Sequence, residues 1–215
     1  MKSYSLAAGL LLSLFLLPFA GAQADTTFEE DLHYFSVIPE QPGAEGDRAR
    51  VVEFFWYACP HCYKLEPHIK QWLKNKPDTV EFVRIPAMFQ RPDVVLHANT
   101  FYALKLMGLE DELNPLIFEE IHERGNRLAT PAEMEAFLAD HGVDIAAFRK
   151  AMGSFAVQTQ SRRAEVLANR FDVRGVPAFV IDGKYRTSGL EGDLQMQAVD
   201  YLIDKVITEK KAKTE

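Results

Sequence analysis

The run Val51-Val52-Glu53-Phe54-Phe55-Trp56-Tyr57 constrains this chain more than any other stretch, because Glu53 alone in it is neither apolar nor aromatic. A strand with one face in water alternates polar and apolar residues. A run like this one has to be covered on both faces, as the strands of α/β sheets are. From Pro60 the pattern turns helical and continues to about Asn75, and Val80 to Ile85 reads as strand again. Strand, helix and strand in close succession make a βαβ unit, whose two strands run parallel. A shorter strand over His33 to Ile38 precedes it.

After Pro86 the strand signal stops for about 90 residues, and helix punctuation replaces it. Asn114-Pro115 and Thr130-Pro131 each offer a capping residue before a proline at the first helical position, and Glu133 completes a capping box with Thr130. Gly108, Gly125 and Gly142 stand where helix C-termini favour a left-handed residue. A long helix over roughly Ser154 to Phe171 leads to the apolar strand Ala178-Phe179-Val180-Ile181. Asp182-Gly183 is a two-residue hairpin signal that pairs Lys184 to Thr187 back on that strand. A last amphipathic helix follows Asp193, with Leu194, Ala198, Leu202 and Val206 on one face. The expected fold is an α/β sheet, built from residues 25–86 and 153–215, interrupted by an inserted helical block over 87–152.

The first 24 residues read as a signal peptide outside this fold. Lys2 is followed by an almost unbroken apolar run from Leu6 to Phe19, and Ala22-Gln23-Ala24 is a small-x-small cleavage pattern before Asp25. The run falls short of the roughly 20 residues that span a bilayer. Cleavage after Ala24 and export to an oxidising compartment are expected. The formal charge of −7, with basic residues scattered, argues against a nucleic-acid surface, which needs a concentrated positive field. Two cysteines in 215 residues exclude a disulfide-stapled scaffold and a four-cysteine zinc site.

Those two cysteines are Cys59 and Cys62, separated by Pro60 and His61 where the buried strand gives way to the helix. This spacing puts Cys59 at the helix N-cap and Cys62 one turn inside. Unpaired backbone N–H groups and the positive helix end then face the first sulfur and favour its thiolate, and His61 adds a proton donor or positive charge nearby. Pro60 suits the first turn because the N–H it lacks has no partner there. A stabilised thiolate makes the disulfide a strong oxidant. Three other readings compete. A structural disulfide closing so short a loop removes little unfolded-state entropy. A c-type haem site needs His directly after the second cysteine, where Tyr63 stands. A metal site recruiting His61 and His68 suffers because His61 lies between the two thiols and no second pair exists. Redox chemistry accounts for the pair best, with a structural disulfide and thiol metal ligation as the alternatives.

The segment Phe54-Phe55-Trp56-Tyr57-Ala58-Cys59-Pro60-His61-Cys62-Tyr63 resembles the active site of the DsbA family, the periplasmic thiol:disulfide oxidoreductases of Gram-negative bacteria, and Gly175-Val176-Pro177 extends the resemblance to the end of the chain. The resemblance implies a thioredoxin fold with an inserted helical subdomain and a redox-active Cys59–Cys62 disulfide that works without a cofactor or metal. It implies a monomer that oxidises reduced, unfolded exported proteins through a mixed disulfide at Cys59, with Cys62 as resolving thiol and a membrane quinone-linked protein resembling DsbB as reoxidant. An isomerase or reductase is the nearest alternative. Such isomerases usually carry a dimerisation domain first, and only about 25 residues lie between Asp25 and Val51.

Glu53 resembles the family's buried glutamate and is expected to relay protons to Cys62, although a strand glutamate ordinarily points to solvent. Arg84 resembles the basic partner of that carboxylate. Pro177 resembles an invariably cis proline lying against the cysteines, and Val176 before it is expected to pair with substrate backbone, although X–Pro bonds are ordinarily trans. Pro67 should kink the first helix and carry no chemistry. His68, His97, His122 and His141 show no constellation and are expected at the surface or at helix ends, and Phe89, Phe101, Phe118 and Phe137 are expected in the core of the helical block.

Overall fold

The computed structural model describes residues 27–187 and 189–213, so the expected signal peptide lies outside the described residues. Twelve elements follow in chain order among them: β1 (Tyr34–Ser36), β2 (Ala49–Phe55), α1 (Pro60–Asn75), β3 (Val80–Pro86), α2 (Pro92–Met107), α3 (Glu110–His122), α4 (Pro131–Asp140), α5 (Ile145–Met152), α6 (Phe155–Arg170), β4 (Ala178–Ile181), β5 (Tyr185–Thr187) and α7 (Gly192–Ala212). The strands form one sheet in the order β1-β5-β4-β2-β3. β2 runs parallel to β3 and antiparallel to β4. This is the α/β fold that the central strand demands.

Alternation along β2 divides the core in two. Ala49 and Val51, with Phe179 and Ile181 of β4, face α1 and α7. Val52 and Phe54, with Ala178 and Val180, face the helical block. Phe54, Phe55, Phe101 and Phe118 are wholly buried, each contributing roughly 1.5–3 kcal/mol through area removed from water. Because both faces are filled, the end of β2 is fixed rigidly, and that end delivers the chain to Cys59.

Local signals account for most boundaries. Thr130 and Glu133 form the reciprocal capping box at the start of α4. Gly108, Gly125 and Gly142 all have positive φ. At the β4–β5 turn Gly183 has φ +70, and a Cβ there would lie 2.3 Å from the Gln41 carbonyl oxygen, so only glycine fits.

Five expectations are corrected. Asn114-Pro115 does not start a helix: α3 begins at Glu110, where Glu110, Asp111 and Glu112 complement the positive helix end, and Asn114 is buried against Tyr57 instead of capping. Pro115 therefore lies inside the helix. Leu194 is exposed, and the buried stripe of α7 runs through Met196, Ala198, Val199, Leu202, Ile203 and Val206. The turn at Asp182-Gly183 also includes Lys184, since Ile181 pairs with Tyr185. Phe89 is only partly buried, whereas the other three phenylalanines are core. His97 is neither at the surface nor at a helix end; it lies buried in the middle of α2.

Candidate active site

Cys59 is the N-cap of α1, with extended backbone (φ −86°, ψ 115°), and Pro60 opens the helix. The Cys59 N–H donates to the Trp56 carbonyl at 3.0 Å, and its own carbonyl accepts from the Tyr63 N–H at 3.1 Å. This leaves the side chain facing the open end of the helix. The backbone N–H of Cys62 donates to Cys59 Sγ at 3.4 Å. Both cysteines are reduced here, and Cys62 is completely buried while Cys59 retains slight exposure.

The two thiols are driven apart in acidity. Cys59 is lowered from 9.0 to about 6, chiefly by a hydrogen bond from the Cys62 thiol, then by the backbone N–H groups of Cys62 and His61 and by the charge of His61, against an opposing contribution from burial. Burial pushes the Cys62 thiol far above its usual range, and the shared hydrogen bond and the Cys59 charge push it the same way. At neutral pH the pair is one thiolate, at Cys59, and one thiol, at Cys62.

The Val176 carbonyl oxygen lies 3.4 Å from Cys59 Sγ, and the Val176–Pro177 peptide bond is cis. The bond between Ile38 and Pro39 is also cis, which nothing in the sequence reading anticipated. Pro177 borders a groove of about 280 Å³ beside the cysteines, together with His61, Lys64, Leu65, Leu190 and Glu191. His61 Nδ1 lies 2.7 Å from Glu191 Oε1, so the imidazole is turned toward a carboxylate.

Beneath the cysteines, Glu53 has no exposure at all. Arg84 Nε stands 2.8 Å from Glu53 Oε2, but out of line for a hydrogen bond, so neither carboxylate oxygen has a hydrogen-bond partner. Burial raises Glu53 from 4.5 to about 7, although the Arg84 charge pulls it down. Register explains the pairing, because Glu53 and Arg84 are direct neighbours across the parallel β2–β3 ladder. The Arg84 guanidinium is shared: its Nη2 donates to Glu66 Oε1 at 2.7 Å. Sequence reasoning missed Glu66, although a glutamate four residues after Cys62, beside the buried α1 stripe of Cys62, Leu65 and Ile69, was a readable signal.

Two further histidines reach the site, although the sequence offered only a surface or helix-end place for each; His122 does end α3. The Trp56 indole N–H donates to His97 Nδ1 at 3.0 Å, while His97 Nε2 bonds the Leu128 carbonyl at 2.9 Å. An indole can only donate, so His97 is the neutral tautomer with its proton on Nε2. His122 Nε2 bonds the Tyr57 carbonyl at 2.7 Å and its ring stacks on Tyr63. His68 instead meets Asp193, and His141 bonds the Phe137 carbonyl. No group of three or more His, Cys, Asp or Glu side chains suited to a metal ion gathers among the described residues.

Comparison with known proteins bears on the family and the fold. The family model of the DSBA-like thioredoxin domain matches residues 50–204. The thiol:disulfide interchange protein DsbA of Azotobacter vinelandii is 42% identical over 202 residues, covering 90% of this chain and 92% of its own length. The protein of the same name from Pseudomonas aeruginosa is 43% identical over 192 residues, covering 86% and 88%. The crystal structure of Pseudomonas aeruginosa DsbA superposes with a TM-score of 0.78 at 38% identity, over 87% of this chain and 97% of that one. That of DsbA from Xylella fastidiosa gives 0.74 at 26%, over 80% and 94%. These relatives are matched along nearly their whole length, in sequence and in backbone, and the family model spans most of the described residues: this chain belongs to the DSBA-like thioredoxin family.

Proposed function

We propose that this thiol:disulfide oxidoreductase works as a dithiol oxidase, donating a Cys59–Cys62 disulfide to reduced, unfolded proteins exported to the periplasm. The observation that carries this reading is the division of acidity within the pair. A client thiolate attacks Cys59 Sγ, the less buried sulfur; the Cys59–Cys62 bond breaks and a mixed disulfide forms. Cys62 leaves as a thiolate and, being a poor leaving group because burial raises its pKa, needs a proton. Glu53, buried and electrostatically coupled to both sulfurs, is protonated over the range in which it can supply one. The client's second thiolate then attacks the client sulfur of the mixed disulfide, and Cys59 departs readily because its thiolate is stabilised. The client loses two electrons and two protons: the cysteine pair gains both electrons and, at Cys62, one proton, while the other proton passes to solvent and Cys59 is left as thiolate. A membrane quinone-linked protein resembling DsbB would restore the disulfide, and the chain would act as a monomer.

The groove beside Pro177 and the Val176 carbonyl offer an extended client segment a place next to Cys59. The reading is tested by mixing the oxidised protein with a reduced dithiol peptide. One peptide disulfide should form per protein molecule, and Cys59→Ala should abolish this. Retained oxidation in that variant would overturn the assignment of the nucleophile.

A further inference from the structure

The N-terminus of α7 meets α1 through two acid–histidine pairs. His61 and His68 are two turns apart on α1 and so lie on one side of it. Glu191 Oε1 is 2.7 Å from His61 Nδ1, and Asp193 Oδ1 is 2.6 Å from His68 Nδ1. Gly192, at φ +56, turns the chain between the two acids. Glu191 is the N-cap residue of α7, and its side chain, longer than those that usually cap, accepts from none of the first-turn N–H groups. Its carboxylate is given to His61 instead. The mechanism above uses His61 only for its charge and leaves Glu191 without a role.

We propose that Glu191 is a positioning residue that sets the oxidising strength of the Cys59–Cys62 pair by holding the His61 imidazole and offsetting its charge. The inference rests on the disulfide-donor reading. The electrostatic argument does not depend on the protonation of His61. With Glu191 ionised, the His61–Glu191 pair carries a net charge of zero or minus one; with an uncharged residue at 191 the same states carry plus one or zero. In either case the field at Cys59 becomes more positive, the thiolate is favoured, and the disulfide becomes the stronger oxidant. Among the described residues the ion pair of Glu191 is with His61: Lys64 lines the same groove without pairing with Glu191, and His68 is matched by Asp193. Both members of the pair are largely exposed, so the effect is that of a surface ion pair.

The test measures the glutathione redox equilibrium and the thiolate absorbance against pH for the parent chain, Glu191→Gln, Glu191→Ala, His61→Ala and Glu191→Gln with His61→Ala. Both Glu191 variants should move the equilibrium about two- to fivefold toward oxidised glutathione and lower the Cys59 titration midpoint. His61→Ala should move both the other way. In the His61→Ala background nothing holds the exposed Glu191 carboxylate near Cys59, so the Glu191→Gln shift should fall to less than half. Asp193→Asn, which removes a neighbouring acid without freeing His61, should shift the equilibrium less than Glu191→Gln. No shift, a reversed shift, an equal shift in both backgrounds, or an equal effect of Asp193→Asn would overturn the proposal. A parent chain that fails to oxidise glutathione would overturn the donor reading itself, a different result from a competent oxidant whose strength ignores residue 191.

Discussion

A carboxylate buried with Arg84 as its counter-charge and no hydrogen bond to either oxygen is held at an energetic cost, and at Glu53 that cost is readable as pH dependence. The folded protein raises Glu53 from 4.5 to about 7, so between these values the folded state binds more protons than the unfolded one. Stability linked to Glu53 is therefore fully present below about 4.5 and is lost as pH rises through 7. Glu53→Gln, which keeps the shape without the charge, should be stabilising relative to the parent chain at pH 8 by up to about 3 kcal/mol, with little difference at pH 4.5. It should also slow release of Cys62 from the disulfide at neutral pH. Denaturant melts at the two pH values and stopped-flow mixing with a dithiol peptide check both expectations. Cys59, Cys62 and Glu53 stood out one residue at a time, because a helix-start cysteine pair and a lone charge in an apolar strand are local anomalies, whereas Arg84 was singled out only by the family resemblance. Glu191 and His97 were not, because each gains its meaning from a partner distant in sequence.

At the scale of elements, the end of β2 is tied to the helical block by side chains that no local pattern announces. The Trp56–His97–Leu128 chain joins the residues before Cys59 to α2 and to the segment before α4. Arg91 stacks over the outer face of Trp56 at 5.1 Å. His97→Leu removes both hydrogen bonds and strands the Leu128 carbonyl in the interior; the cost should be about 1–3 kcal/mol. A denaturant melt reads that loss, and a shift in tryptophan emission reads the freed indole. An unchanged emission and unchanged stability would show that the bridge holds nothing. Helix boundaries were legible where a motif satisfies backbone groups by itself, as at Thr130 and Glu133. At α3 the local signal at Asn114-Pro115 lost to tertiary contact, since Asn114 accepts from the Tyr57 hydroxyl and an acid-rich first turn starts the helix earlier. Leu194 failed for a related reason: the α7 stripe begins only where the helix reaches the sheet, and the first turn is engaged with α1.

For the whole molecule, the β2 run alone requires a sheet with both faces covered, and the absence of strand patterning over the following helices places the insertion on one of them. The sheet order was not legible from pattern, because it arises from which strands pair, and the approach of Val176 to Cys59 was implied by the family resemblance alone. The architecture converges on one claim: the fold stabilises the reduced pair through a Cys59 thiolate that exists only when the disulfide is open. Two contributions oppose each other. Closing a four-residue ring constrains the unfolded chain and favours the oxidised form by about 2 kcal/mol. Lowering Cys59 from 9.0 to about 6 favours the reduced form, on the order of 3 kcal/mol after solvent screening, once the thiolate dominates in both folded and unfolded chains.

The sign of the thiolate contribution is that of a depressed acid: it is fully present above about 9 and is lost as pH falls through 6. Denaturant melts of the oxidised and reduced protein, run side by side from pH 6 to pH 9, test this directly. The reduced form should gain on the oxidised form steadily with pH and be the more stable of the two by about pH 8.5. A difference that does not change with pH, or an oxidised form that stays more stable throughout, would contradict a stabilised Cys59 thiolate as the source of oxidising power.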